Sequence, residues 1–211
     1  MGTTVAYGGE MSKVHYLLYT INLVVGCFGI SIILPFIILF GIDRLSVSED
    51  LSILFLFTIP AFIGFILFPV SWYLFSHKHQ LQDVGIVKRI DKATVTICAL
   101  SFGIIVYTCF HIQYVPWIML VHFAVIGLGE ELVFRGILLH RLQKVMDNWL
   151  AVLISAAVFA FVFHSGQPFL DNVSYRLILG VVFGLIFLHT KNIWGVACIH
   201  FAYNFFITYQ L

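Results

Sequence analysis

Charge is scarce in this sequence. Only 10% of its 211 residues are Asp, Glu, Lys or Arg, against 61% hydrophobic, and mean hydropathy is +1.03. No ordinary soluble domain has this composition, which instead describes a polytopic helical membrane protein. A formal net charge of +1 argues against a polyanionic partner, and the lack of a basic stripe argues against nucleic acid. Cysteine is nearly absent too. Cys27, Cys98, Cys109 and Cys198 all lie in apolar runs, match no metal-site spacing, and read as small buried hydrophobes. No Ser or Cys stands out as a nucleophile, and the zinc-protease pattern His-Glu-x-x-His does not occur. A signal-peptide core is also missing. The apolar run after Lys13 is too long for one and lacks a clear cleavage site, so it is read as a membrane helix.

What is abundant is apolar sequence in long runs. They predict an all-α, polytopic transmembrane bundle of about seven spans, forming a single integral membrane domain over 1–211. The expected spans are 15–41, 51–75, 93–114, 116–140, 149–164, 176–189 and 193–209. Asp43 to Asp50 reads as an acidic loop. Ser76 to Lys92 reads as an interfacial amphipathic segment, Ser165 to Tyr175 as a polar loop, and Lys191-Asn192 as a tight turn. Gly180 and Gly184, four residues apart on the sixth span, fit close helix packing.

Lys and Arg are distributed unevenly across such a bundle. One side carries Lys13, Lys78, Lys88, Arg89, Lys92, Arg141, Lys144 and Lys191; the other carries Arg44 and Arg176. The positive-inside rule then places the N-terminus in the cytoplasm.

The fourth span contains an anomaly. Gly129-Glu130-Glu131-Leu132-Val133-Phe134-Arg135-Gly136 puts two carboxylates and a guanidinium inside an apolar run. A charge at the centre of a bilayer costs roughly 2.5–3.5 kcal/mol on insertion scales, so these groups face protein or trapped water. Glu131 and Arg135 are i,i+4 neighbours, with Glu placed N-terminally, and can neutralise one another. Glu130 points about 100° away and has no partner on its own helix. Glu131 and Arg135 therefore read as structural support and Glu130 as the reactive group.

Three other polar positions reach a similar depth. His164 follows a Phe-rich run, and His200 and Asn204 share one face of the seventh span. At about 1.5 Å per residue from the cytoplasmic helix ends, Glu130 lies roughly 15 Å in, His200 roughly 12 Å and His164 roughly 22 Å. One pocket drawn from three helices accommodates all of them. His111, His122, His140 and His189 lie near span ends or lack a polar partner and read as packing residues. The pocket suggests hydrolysis by water. Glu130 acts as general base with His164 sharing the water, and His200 and Asn204 donate to an oxyanion. The residues leave a metal open as well, because Glu130, His164 and His200 are a sufficient ligand set for Zn²⁺.

Glu130-Glu131-x-x-x-Arg135, then His164, then His200-x-x-x-Asn204, resembles the CPBP family, which groups CAAX prenyl endopeptidases with bacteriocin-processing and bacteriocin-immunity membrane proteins. The resemblance covers about residues 116–209. It implies an all-helical intramembrane endopeptidase acting on a small peptide or membrane-protein substrate. It also implies catalytic roles for Glu130, His164, His200 and Asn204, with Glu131 and Arg135 completing the first motif. The implied mechanism is zinc-dependent or metal-free and glutamate-dependent; we adopt the second. The compact chain resembles the bacterial branch, which implies a bacterial plasma membrane. The family's immunity members leave a non-catalytic immunity or scaffold protein as the alternative. One departure stands out: the family places Phe four residues before its motif His, and here that position is Ala160, which a one-residue shift or a helix bulge would reconcile.

Overall fold

The computed structural model describes residues 13–42, 48–75, 80–87, 90–112, 114 and 117–210. Among them there is no strand, and the chain is an all-α polytopic bundle. Five helices are long and apolar enough to cross a membrane: α1 (Lys13–Gly41), α2 (Glu49–Phe75), α3 (Lys92–His111), α4 (Trp117–Leu142) and α6 (Phe169–Thr190). Two shorter apolar helices, α5 (Asn148–Phe163) and α7 (Ile193–Tyr209), complete the set. Pro116, the loop beginning at Asp43, and Arg44, Lys78, Lys88 and Arg89 lie outside the described residues.

The surface is that of a membrane protein. Ile33, Phe36 and Phe40 on α1 and Leu100, Phe102 and Phe110 on α3 point outward. On α3 the buried hydroxyls of Ser101 and Thr108 return their hydrogen bonds to their own helix, Ser101 Oγ to Ile97 O (2.8 Å) and Thr108 Oγ1 to Ile104 O (2.9 Å). In hydrocarbon no water is available to satisfy them.

Two expectations are revised. The sixth helix begins at Phe169, not near Arg176, so most of the expected polar loop is helical. Pro168 supplies the non-helical residue before it, and Asn172 N bonds Pro168 O. Of the polar residues that looked like a loop, Asp171 and Tyr175 line a cavity and Asn172 is buried. The expected interfacial amphipathic segment between α2 and α3 holds, among its described residues, one short turn, Leu81–Val84, that packs onto the bundle. Val84 is buried, and Gly85 closes the turn at φ +78°, a conformation that suits glycine. Gly85 O then accepts from Ile193 N (3.0 Å), which pins this loop to the turn between α6 and α7.

Helix packing centres on α4. α7 lies between α3 and α4, α5 and α6 pack together, and α1 and α2 cover the remaining side. Small residues set the closest approaches. A Cβ on Gly127 would lie 3.0 Å from Phe201 N of α7, and one on Gly180 would lie 2.9 Å from the Ala156 Cβ of α5. The pair Gly180 and Gly184 is thus the α6 surface facing Ala156 and Val152. At the far end of α4, Arg141 is buried. Its Nε donates to Tyr73 Oη (3.1 Å), and its guanidinium lies over the rings of Tyr19 (4.7 Å) and Tyr16 (5.4 Å). The start of α1, the end of α2 and the end of α4 therefore meet at one face of the bundle.

Candidate active site

After Glu131, α4 stops being a regular α-helix. From Leu132 to Leu139 its hydrogen bonds reach five residues back, as His140 N does to Arg135 O. Wide turns of this kind are rare and concentrate at functional sites. Ser155 Oγ of α5 donates to Phe134 O (2.8 Å) and supports the widened backbone from outside.

The charged groups sit at the start of this stretch. Glu131 and Arg135 are fully buried, and Arg135 Nη1 donates to Glu131 Oε1 at 2.9 Å. The second guanidinium nitrogen, Nη2, donates to Gly180 O of α6 (3.2 Å). The guanidinium carbon is 4.9 Å from the centre of the Phe159 ring and 5.5 Å from that of Phe183. An ion pair, a carbonyl and two aromatic faces together make a buried cation tolerable.

Glu131 has a second partner that the helix geometry of α4 alone does not reveal. His200 Nδ1 of α7 lies 2.7 Å from the same Oε1. A carboxylate only accepts, so Nδ1 carries the proton. The other ring nitrogen, Nε2, is 3.6 Å from Glu130 Oε2. Glu130 is 5% exposed and lies between this imidazole and a cavity of about 470 Å³. No sequence spacing links residues 131 and 200; the helix pairing of α4 with α7 does.

His164 begins the turn after α5. Its Nδ1 lies 2.9 Å from Phe159 O and donates to it, which leaves Nε2 as an acceptor. The helix before it is widened over Val158–Phe163, and the bond to Phe159 spans five residues. Phe159 accordingly packs its ring edge-on to His164, with centroids 4.7 Å apart. A bulge thus brings a Phe beside the His although Ala160 occupies the four-residue position. The turn is held by Asn172 of α6, whose Nδ2 donates to His164 O (2.9 Å) and whose Oδ1 accepts from Arg176 (3.2 Å). Asn172 was not singled out from the sequence because it fell in the expected polar loop, and Arg176, expected at the start of the sixth span, was read only for its charge.

Glu130, His164, His200 and Asn204 all line the one cavity, and Asp171, Arg176 and Tyr203 line it with them. Asn204 makes no side-chain hydrogen bond among the described residues. Among the described residues no group of three or more His, Cys, Asp or Glu side chains is arranged to hold a metal ion, Glu130, His164 and His200 included.

Buried carboxylates, imidazoles and an amide thus surround one cavity in an apolar bundle. Residues 112–206 match the Rce1-like family, the type II CAAX prenyl endopeptidases. The Rce1-like stretch contains every residue of the cavity floor and runs from just before α4 into α7. No curated protein and no solved structure matches the chain. Over that stretch the chain is similar to a protease family, whose substrates are peptides or proteins. The helices α1 to α3 lie outside it.

Proposed function

We propose that this protein is an intramembrane endopeptidase that uses Glu130 to activate water. The observation that carries the reading is the position of Glu130 on the floor of a cavity shared with His164, His200 and Asn204, inside a membrane bundle. A water held between Glu130 and His164 Nε2 attacks the scissile carbonyl. Glu130 takes its proton, and the carbonyl becomes a tetrahedral oxyanion. Asn204 Nδ2 donates to that oxygen. His200 donates from Nε2 in its imidazolium form, in which the charges of Glu130, Glu131, Arg135 and His200 sum to zero. When the intermediate collapses, Glu130 passes the proton to the departing amine, and the C–N bond breaks.

Glu131 orients His200 and neutralises Arg135, and Arg135 ties α4 to α6. These are positioning roles. The excess of Lys and Arg in one set of loops supports a cytoplasmic N-terminus. The substrate is a small peptide or a membrane protein, with peptide maturation of the bacteriocin-processing type as one setting.

The test compares peptide termini in membranes of cells carrying wild-type protein with those carrying Glu130→Gln at matched abundance. We expect a set of termini to disappear in the variant, which also names the substrate. Identical termini in both, with the variant folded, would remove the catalytic reading and leave a scaffold or immunity protein.

A further inference from the structure

Three arginines fall among the described residues, and the bundle accommodates two of them. Arg135 has Glu131, and Arg141 has Tyr73 and the ring faces of Tyr16 and Tyr19. Arg176 differs. It lines the cavity, and its Nη1 donates to Asn172 Oδ1 (3.2 Å). Among the described residues no carboxylate forms an ion pair with it. A guanidinium carries five N–H donors, so one bond to a neutral amide leaves most of them over. A cation inside a membrane bundle is costly unless it is paired.

The backbone of α6 aims this cation into the cavity. Residues five apart on a regular α-helix diverge by about 140°. The helix is widened over Asn172–Leu177, which reduces that angle, and Asp171 and Arg176 both line the cavity. Widened turns concentrate at functional sites. The two side chains nevertheless do not pair, so the charge of Arg176 remains available. Its depth follows from Gly180, whose carbonyl receives Arg135 beside Glu131 at the cavity floor. Arg176 comes four residues earlier, about 6 Å along the helix axis. An extended polypeptide advances about 3.3 Å per residue. A group held by Arg176 therefore stands a few residues from a carbonyl held over Glu130. Asp171 lies farther out on the same wall and repels an anion placed one turn too far from the floor.

We infer that Arg176 is a specificity-determining residue that binds a carboxylate of the substrate polypeptide, on a side chain or at a free C-terminus, within a few residues of the scissile bond. That the ligand is a polypeptide rests on the endopeptidase reading above. The probe is a randomised synthetic peptide library, made once with free C-termini and once amidated. It is offered to the full-length Glu130→Gln protein in detergent, and captured peptides are sequenced by mass spectrometry. Carboxylate-bearing peptides should be enriched about tenfold, the discrimination of one charge-assisted hydrogen bond. Enrichment that survives amidation names an acidic side chain; enrichment lost on amidation names the C-terminus. Adding Arg176→Gln, which keeps an N–H donor for Asn172 and removes the charge, should abolish the enrichment. Arg176→Lys should keep part of it. A captured set without carboxylate enrichment overturns the inference before Arg176 is altered at all. No capture, or equal enrichment with Arg176→Gln, overturns it too. Capture requires no turnover. Cleavage of the library by wild-type protein without carboxylate preference would leave the protease reading standing alone, and carboxylate-selective capture without cleavage would do the reverse.

Discussion

At the scale of single residues, the site divides between groups that hold and groups that react. Glu131 belongs to the first kind. One of its oxygens receives both Arg135 and His200. Glu131→Gln leaves Arg135 buried without its counter-charge, a loss of roughly 3–5 kcal/mol for a broken buried pair. We expect a much lower thermal midpoint in detergent and reduced abundance. Asn204 belongs to the second kind, because among the described residues its side chain supports nothing else. Asn204→Ala should retain the wild-type midpoint and lower turnover by about 10²–10³-fold, the usual cost of one oxyanion donor. Parallel melting curves and cleavage rates would separate the two; a stable Glu131→Gln protein contradicts the division. The Glu131–Arg135 pair was legible in the sequence, since a helix period places both on one face. The His200 bond was not, because it depends on which helices become neighbours.

Among elements, the instructive case is α6. Its first turns carry Asp171, Asn172, Ser174, Tyr175 and Arg176, a composition that reads as a loop when a lipid-facing helix is the standard. The standard was wrong for this segment, because Asp171, Tyr175 and Arg176 face a cavity and Asn172 is buried. The widened end of α5 was only half legible. The Ala160 mismatch pointed to a bulge, and the bond from His164 to Phe159 gives its place. A third element, α3, carries its own start signal. Asp91 caps it, with the Thr94 hydroxyl beside its carboxylate and the Thr94 amide bonded to it at 2.7 Å, and both hold Asp91 below the usual carboxylate range. The folded state thus favours ionised Asp91. Its contribution is complete above the unfolded carboxylate value of about 3.9 and is lost as pH falls through the lower folded value. Acid should weaken the wild-type protein more than Asp91→Asn in this range. Melting both between pH 5 and the acid limit of the detergent checks it; equal slopes would assign the acid sensitivity elsewhere.

For the molecule as a whole, Gly180 is a junction. Its carbonyl receives Arg135 of α4, and its face lies against Ala156 of α5. Gly180→Val forces α5 and α6 apart at an overpacking cost of about 1–3 kcal/mol. It also moves the carbonyl on which Arg135 rests, so melting point and cleavage should fall together. Adding Ala156→Gly should recover part of both; recovery of neither would argue against the junction. The seam between α3 and α7 has a different consequence. The family match starts at residue 112, after α3 ends, yet α3 is one of the two flanks between which α7 stands. The boundary of recognisable ancestry is therefore not a boundary of folding. Whatever the lineage of its first three helices, the matched half packs against them, and a gene fragment encoding only that half would inherit the cavity's residues without one wall of the room that houses them.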